Sequence, residues 1–123
     1  MSQTRTQKYA GKAMACVKAI AAKSPSDRKE YKSRADSFPT MVMQSGLTQA
    51  LGFLLGKGGL YETYANDVAR VAGKSDAKAL HNDAIASDLL SYRRMTREVM
   101  EVSALIKRFG QIELRPTNGS RQE

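Results

Sequence analysis

The stretch Ser37–Gly56, SFPTMVMQSGLTQALGFLLG, holds twenty residues without one charged side chain in a chain that is 26% charged. At that overall frequency roughly five charges would fall there by chance, so the gap has a physical cause. A membrane span needs about twenty consecutive apolar residues. Pro39, Thr40, Gln44, Ser45, Gly46, Thr48 and Gln49 make this run too polar and too interrupted for that. A buried hairpin of two helices fits instead. Pro39 suits a first helical turn, where its missing N–H costs nothing. Gly46 is able to take the left-handed backbone that ends a helix. Beyond it Leu47, Ala50, Leu51 and Leu54 recur at helical spacing and form a second apolar stripe.

Outward from that hairpin the chain reads as helix throughout. Its 123 residues suffice for one domain with a core, and 41% apolar content lies above the range of disordered chains. Proline is scarce, and no run alternates apolar and polar residues with β-branched enrichment, so no strand is expected. On the N-terminal side a first helix is expected from Thr4 to Lys23, with Tyr9, Ala13, Cys16, Val17 and Ile20 inward. Ser24-Pro25-Ser26-Asp27 caps a second, surface helix ending near Asp36, because the residue before Pro39 is pushed out of the α region.

On the C-terminal side Lys57-Gly58-Gly59 is a turn, and it lacks the spacing, hydroxyl and preceding strand of a phosphate loop. A helix from Leu60 to Ala72 follows, with Leu60, Tyr64, Val68 and Val71 inward and Gly73 as its cap. A short polar helix over Lys74–Asn82 begins at Ser75 or Asp76. The last helix is expected from Ala84 to Glu113, because Ile85, Leu89, Tyr92, Thr96, Val99, Ser103 and Ile106 form a heptad-like stripe. The expected fold is all-α: one compact bundle of about six helices over residues 1–114 with a long C-terminal helix, and a disordered tail over 115–123.

Charge points to function more than composition does. The chain carries a net +8, and residues 1–34 hold nine basic groups against Asp27 and Glu30. The remaining 89 residues balance eleven basic groups against ten acidic ones. Such asymmetry suits a polyanion, nucleic acid above all, although a solubilising face has the same composition. Arg5, Lys8, Lys12 and Lys23 fall on one strip of the first helix, with no acidic residue within four positions of any but Lys23. Lys107 and Arg108 form a second basic pair, Lys107 within the apolar sector of the last helix. Arg94 and Arg97 have Glu98 and Glu101 at i+4 and are expected to be self-paired. No aromatics interleave with the basic strip, so phosphate binding rather than base reading is expected.

One cysteine (Cys16) and one histidine (His81) exclude an internal disulfide and a Cys/His zinc site. Cys16 is expected as a buried apolar thiol and His81 as a solvated surface side chain. No paired carboxylates are available for acid/base work, so no catalytic residues, metal or cofactor are expected. The N-terminus has no apolar leader, which points to the cytoplasm.

Three segments together resemble a known family. Tyr9-Ala10 opens the first helix, and the core carries Phe38-Pro39, Ser45-Gly46-Leu47 and Ala50-Leu51-Gly52-Phe53-Leu54. The last helix contains Leu89-x-x-Tyr92-Arg93-x-x-Thr96-Arg97-Glu98 and then Leu105-Ile106-Lys107-Arg108-Phe109. This order resembles the small α-helical subunit of the type III-B CRISPR effector, the Cmr RNA-targeting complex. The resemblance implies a non-catalytic building block that stacks with further copies of itself beside a filament of backbone subunits. It implies guide and target RNA as partners in the assembly, with neither a membrane nor a small-molecule substrate. Base pairing with the guide would supply the sequence reading, leaving this subunit to hold the strand. Two other readings fit the residues: a helical adaptor docking on an acidic protein, and a stand-alone helix-turn-helix nucleic-acid-binding protein. The second is disfavoured because the basic helix is long and carries Lys where base readers carry Asn or Gln.

Overall fold

The computed structural model describes residues 4–115. Six helices follow one another: α1 (Arg5–Ala21), α2 (Pro25–Ser45), α3 (Leu47–Lys57), α4 (Gly59–Val71), α5 (Ala77–Ala86) and α6 (Leu89–Glu113), with no strand among the described residues. Helix α6 packs along α1 and α2, both of which also contact α4, while α3 and α5 pack on each other and on α4. Arg5 pairs with Glu101 and Lys18 approaches Glu113, so α1 and the second half of α6 run in the same direction.

All six helices supply the core. Its largest side chains include Tyr31, Phe38 and Tyr64, all buried, with Tyr64 edge-on to both partners at ring separations of 5.5 and 5.4 Å. Pairs of this geometry add about 0.5–1.5 kcal/mol beyond the area they bury.

The uncharged stretch forms the expected corner, but with different helix limits. Gly46 has φ +88° between α2 and α3 and accepts no side-chain substitute without strain. Pro39, however, does not start a helix. Helix α2 runs through it from Pro25 to Ser45, whereas a break near Asp36 was expected. The absent N–H and the ring's clash with the preceding turn cost about 3 kcal/mol in a helix interior. Tyr31, Ala35, Phe38 and Val42 form one continuous buried stripe on both sides of the proline. Burying Phe38 and Val42 returns about 1.5–3 kcal/mol each, enough to carry the helix across.

The expected last helix is two helices. Ser87 is extended, and Asp88 caps α6 by accepting the Ser91 N–H at 2.8 Å. That bond holds the Asp88 carboxyl below its ordinary range. The heptad-like stripe that bridged this break fails at its start, because Ile85 and Leu89 are both 62% exposed. At 25 residues α6 is about 37 Å long. Helix α4 ends close to where the sequence placed its cap. Ala72 is the last half-helical residue and Gly73 follows at φ +98°. Gly73 N–H donates to Arg70 C=O and Lys74 N–H to Ala69 C=O, which satisfies the last carbonyls. Asp76 caps α5, one of the two starts expected. Of the expected tail over 115–123, all but Arg115 lies outside the described residues.

Candidate nucleic-acid interface

Helix α1 begins at a full capping box. Thr4 accepts the Gln7 N–H while Gln7 accepts the Thr4 N–H, so the basic residues just after it sit on a fixed first turn. Arg5, Lys8, Lys12 and Lys23 are all exposed. The structure separates them into three situations. Arg5 is not free: its Nη2 donates to Glu101 Oε1 at 2.9 Å, and Thr6 donates to the other Glu101 oxygen at 2.8 Å. No acid lies near Arg5 along its own helix, as the sequence shows, but α6 brings one across. Lys23 lies beyond the end of α1 at Ala21, in the link to α2, so it does not continue the strip. Lys8 and Lys12 remain, one turn apart and without an ion pair among the described residues.

The same contact changes α6. Glu101 turns to Arg5, so the expected Arg97–Glu101 pair is not made, and Arg93, Arg94 and Arg97 are exposed without ion pairs among the described residues. Lys107 is half-buried one turn after buried Ser103, and Arg108 is exposed. At 100° per residue these two point to different sides of α6.

A cluster that the sequence reading did not foresee lies where α2, α3 and α4 meet. Phe53 and Tyr61 stand edge to face, 6.0 Å apart at 72°. The Arg34 guanidinium lies 4.4 Å from the Tyr61 ring centroid. Lys57 Nζ lies 5.5 Å from the Phe53 centroid and 5.9 Å from that of Tyr61. Neither Arg34 nor Lys57 has an ion pair among the described residues. Phe53, Lys57 and Tyr61 recur at a spacing of four across the glycine turn, a signal visible in the sequence. Arg34 comes from α2 and needs the tertiary fold.

Elsewhere several polar groups have local partners, while the Tyr64 hydroxyl and Asp36 Oδ1 are buried without one among the described residues. Tyr31 donates to Asp67 Oδ2 at 2.7 Å, and burial pushes the Asp67 carboxyl above its ordinary value. Burial, with Asp67 beside it, raises the Cys16 thiol to about 11. Cys16 is thus half-buried beside a carboxyl group, not wholly apolar in its surroundings. His81 is half-buried too, its Nε2 3.5 Å from where a Cβ on Gly52 would stand. An open cleft of about 390 Å³ between α5 and α6 is lined by Lys74, Asp83, Ser87, Ser91, Arg94 and Glu98. Its two bases and two acids balance, and Lys74 already holds Asp83 at 2.8 Å, so it offers an anion no net field. Among the described residues no three His, Cys, Asp or Glu side chains are grouped to hold a metal ion, and no helix is long and apolar enough to cross a membrane.

The family model for CRISPR-associated protein Cas_Cmr5 matches residues 5–113. The chain belongs to the Cmr5 family. The matched span starts at the first residue of α1 and stops at the last residue of α6, so all the interface residues described above lie within the family fold. The chain is 40% identical over 110 residues to the CRISPR system Cmr subunit Cmr5 of Thermus thermophilus, covering 89% of this chain and 95% of that one. A crystal structure of a Cmr5 family protein from the same organism superposes with a TM-score of 0.88 at 36% identity, covering 93% of this chain and all of that one. The all-helical fold of this Cmr5 family member is therefore shared with an experimental structure.

Proposed function

We propose that the chain is a non-catalytic small subunit of a type III-B Cmr ribonucleoprotein complex in the cytoplasm. It stacks with further copies of itself beside a backbone subunit and helps hold the target RNA strand. The observation that carries the RNA-holding part is the pair Lys8 and Lys12. They lie in the basic first 34 residues of the chain, exposed and without an ion pair among the described residues, on a helix whose first turn is fixed by its capping box. Two unpaired ammonium groups one turn apart are spaced to follow a phosphate backbone, and a strand whose sequence is read by base pairing needs no more from this surface. The family membership and the kinship with a Cmr subunit support the assembly part.

Co-expression with the genomic neighbours of its gene, followed by purification through a tag on this chain, tests the reading. Recovery of RNA together with other Cmr subunits supports it. Recovery of a single acidic protein without RNA would replace it with the adaptor reading, in which the same basic face docks on protein.

A further inference from the structure

We propose that Phe53, backed by Tyr61 and flanked by Arg34 and Lys57, is a stacking platform for an unpaired base of single-stranded RNA, with the two cations on the neighbouring phosphates. The proposal rests on the RNA-holding reading and adds a second kind of contact to it, one that needs a base as well as a phosphate.

An exposed aromatic side chain is ordinary by itself. What departs from scatter is the company it keeps. Phe53 is 43% exposed in a core-building segment whose other aromatic, Phe38, is 1% exposed. Cation–π contacts occur about once in 70–80 residues of protein structure. Here two cations lie near the rings of one aromatic pair, Arg34 at 4.4 Å from Tyr61 and Lys57 at 5.5 and 5.9 Å from Phe53 and Tyr61. Among the described residues Arg34 and Lys57 lie near ring faces and pair with no acid, and the Arg34 Nε is buried with no hydrogen-bond partner. The guanidinium is therefore positioned by Tyr61, and it forms no ion pair among the described residues.

These are the components that sequence-tolerant single-strand binding uses: an exposed π-face for the base and cations for the backbone on either side of it. Tyr61 meets Phe53 edge to face, which restricts the Phe53 ring and leaves its remaining exposed surface to a planar partner. Lys57 ends α3 on an exposed turn and moves aside at small cost, because an exposed cation–π contact is weak. The cluster supplies no hydrogen-bonding side chain dedicated to one base edge. It takes any base, which suits a target whose sequence varies.

The test uses the purified full-length chain and two short single-stranded RNAs of equal length. One carries 2-aminopurine at its centre, and the other is abasic there and at the flanking positions. The wild type is expected to bind the intact strand more tightly and to quench its fluorescence on binding. Phe53→Leu, which keeps an apolar side chain but removes the π-face, is expected to lose about five- to a hundred-fold on the intact strand. It should leave abasic-strand binding and the salt slope unchanged. Phe53→Trp is expected to restore the preference, and thermal melts establish that each variant folds. Lys57→Gln should weaken both strands and flatten the salt slope.

Equal binding of both strands by the wild type, with steep salt dependence, overturns the platform and leaves the basic-face reading standing. Binding of neither strand also overturns the platform, and the basic-face reading is then decided on the assembled complex. A Phe53→Leu chain that keeps its base preference but no longer joins the complex overturns it as well, because the cluster is then a protein contact.

Discussion

Replacing Gly46 by valine is expected to lower stability by about 1.5–4.5 kcal/mol, and the structure separates the loss into two parts. Gly46 sits at φ +88° and ψ 160°, a backbone region that side chains other than glycine essentially do not occupy; holding one there costs about 1–3 kcal/mol. A Cβ at this position would also stand 3.2 Å from the Tyr92 hydroxyl. That oxygen has a task, since it accepts the Thr48 N–H at 3.2 Å and so caps α3, whose own N-cap glycine has no side chain to offer. Displacing it adds about 0.5–1.5 kcal/mol for the lost hydrogen bond. For a domain of 123 residues the total corresponds to a fall in Tm of about 10 °C. Differential scanning calorimetry reads this directly. Tyr92→Phe alone should cost only the hydrogen-bond part, and the double variant should cost less than the two losses added together. A Gly46→Val chain melting within about 2 °C of the wild type would refute the reasoning, because the strain at this backbone position alone exceeds that shift.

Three further outcomes are expected. Asp67 carries a carboxyl whose pKa is raised in the fold by burial, against hydrogen bonds from Tyr31 and Cys16 and the charge of Arg70 that lower it. The fold therefore binds that proton more tightly than the unfolded chain. This contribution is fully present below the ordinary carboxyl value of 3.8 and is lost as pH rises through the folded value. The Tm of Asp67→Asn relative to wild type should accordingly rise from acid to neutral pH, and a pH-independent difference would contradict the assignment. Cys16, raised from 9.0 to about 11, should react with iodoacetamide at neutral pH about a hundredfold more slowly than a free cysteine thiol, as mass spectrometry of timed samples can measure. Finally, the purified chain should cleave neither RNA nor DNA, with or without divalent metal. Turnover that follows the protein through two columns and disappears on a point substitution in this chain would contradict the non-catalytic reading.

The parts of this molecule that were legible in the sequence are those set by neighbours along the chain. The Gly46 corner, the cap of α5 at Asp76 and the inward faces of α1 and α4 follow from spacing, capping chemistry and glycine's backbone freedom. The two misplaced helix ends have opposite causes. At Pro39 a local rule demands a break, yet the stripe from Tyr31 to Val42 buries enough surface to override it. At Asp88 the apolar spacing runs through a residue whose side chain instead takes a backbone N–H and starts a new helix. Charge pairing fails because the fold brings residues distant in sequence together. Arg5 lacks an acid nearby in sequence and finds Glu101 ninety-six residues on, and Arg97 then has no ion pair among the described residues. The Arg34–Tyr61 contact was out of reach for the same reason: it joins α2 to α4.

The central claim concerns Lys8 and Lys12, and the dependence of target-RNA affinity on salt tests it most directly. Each phosphate contacted by a cation should contribute about 0.7 to the fall of log K with log[salt] on a single strand. In the assembled complex, Lys8→Ala with Lys12→Ala should weaken target binding to a similar degree for every guide–target pair. The same change should reduce the slope by about 1.4, two contacts' worth, with assembly and Tm unchanged. Normal assembly with unchanged affinity and an unchanged slope would contradict the account, leaving these two lysines as a solvated face.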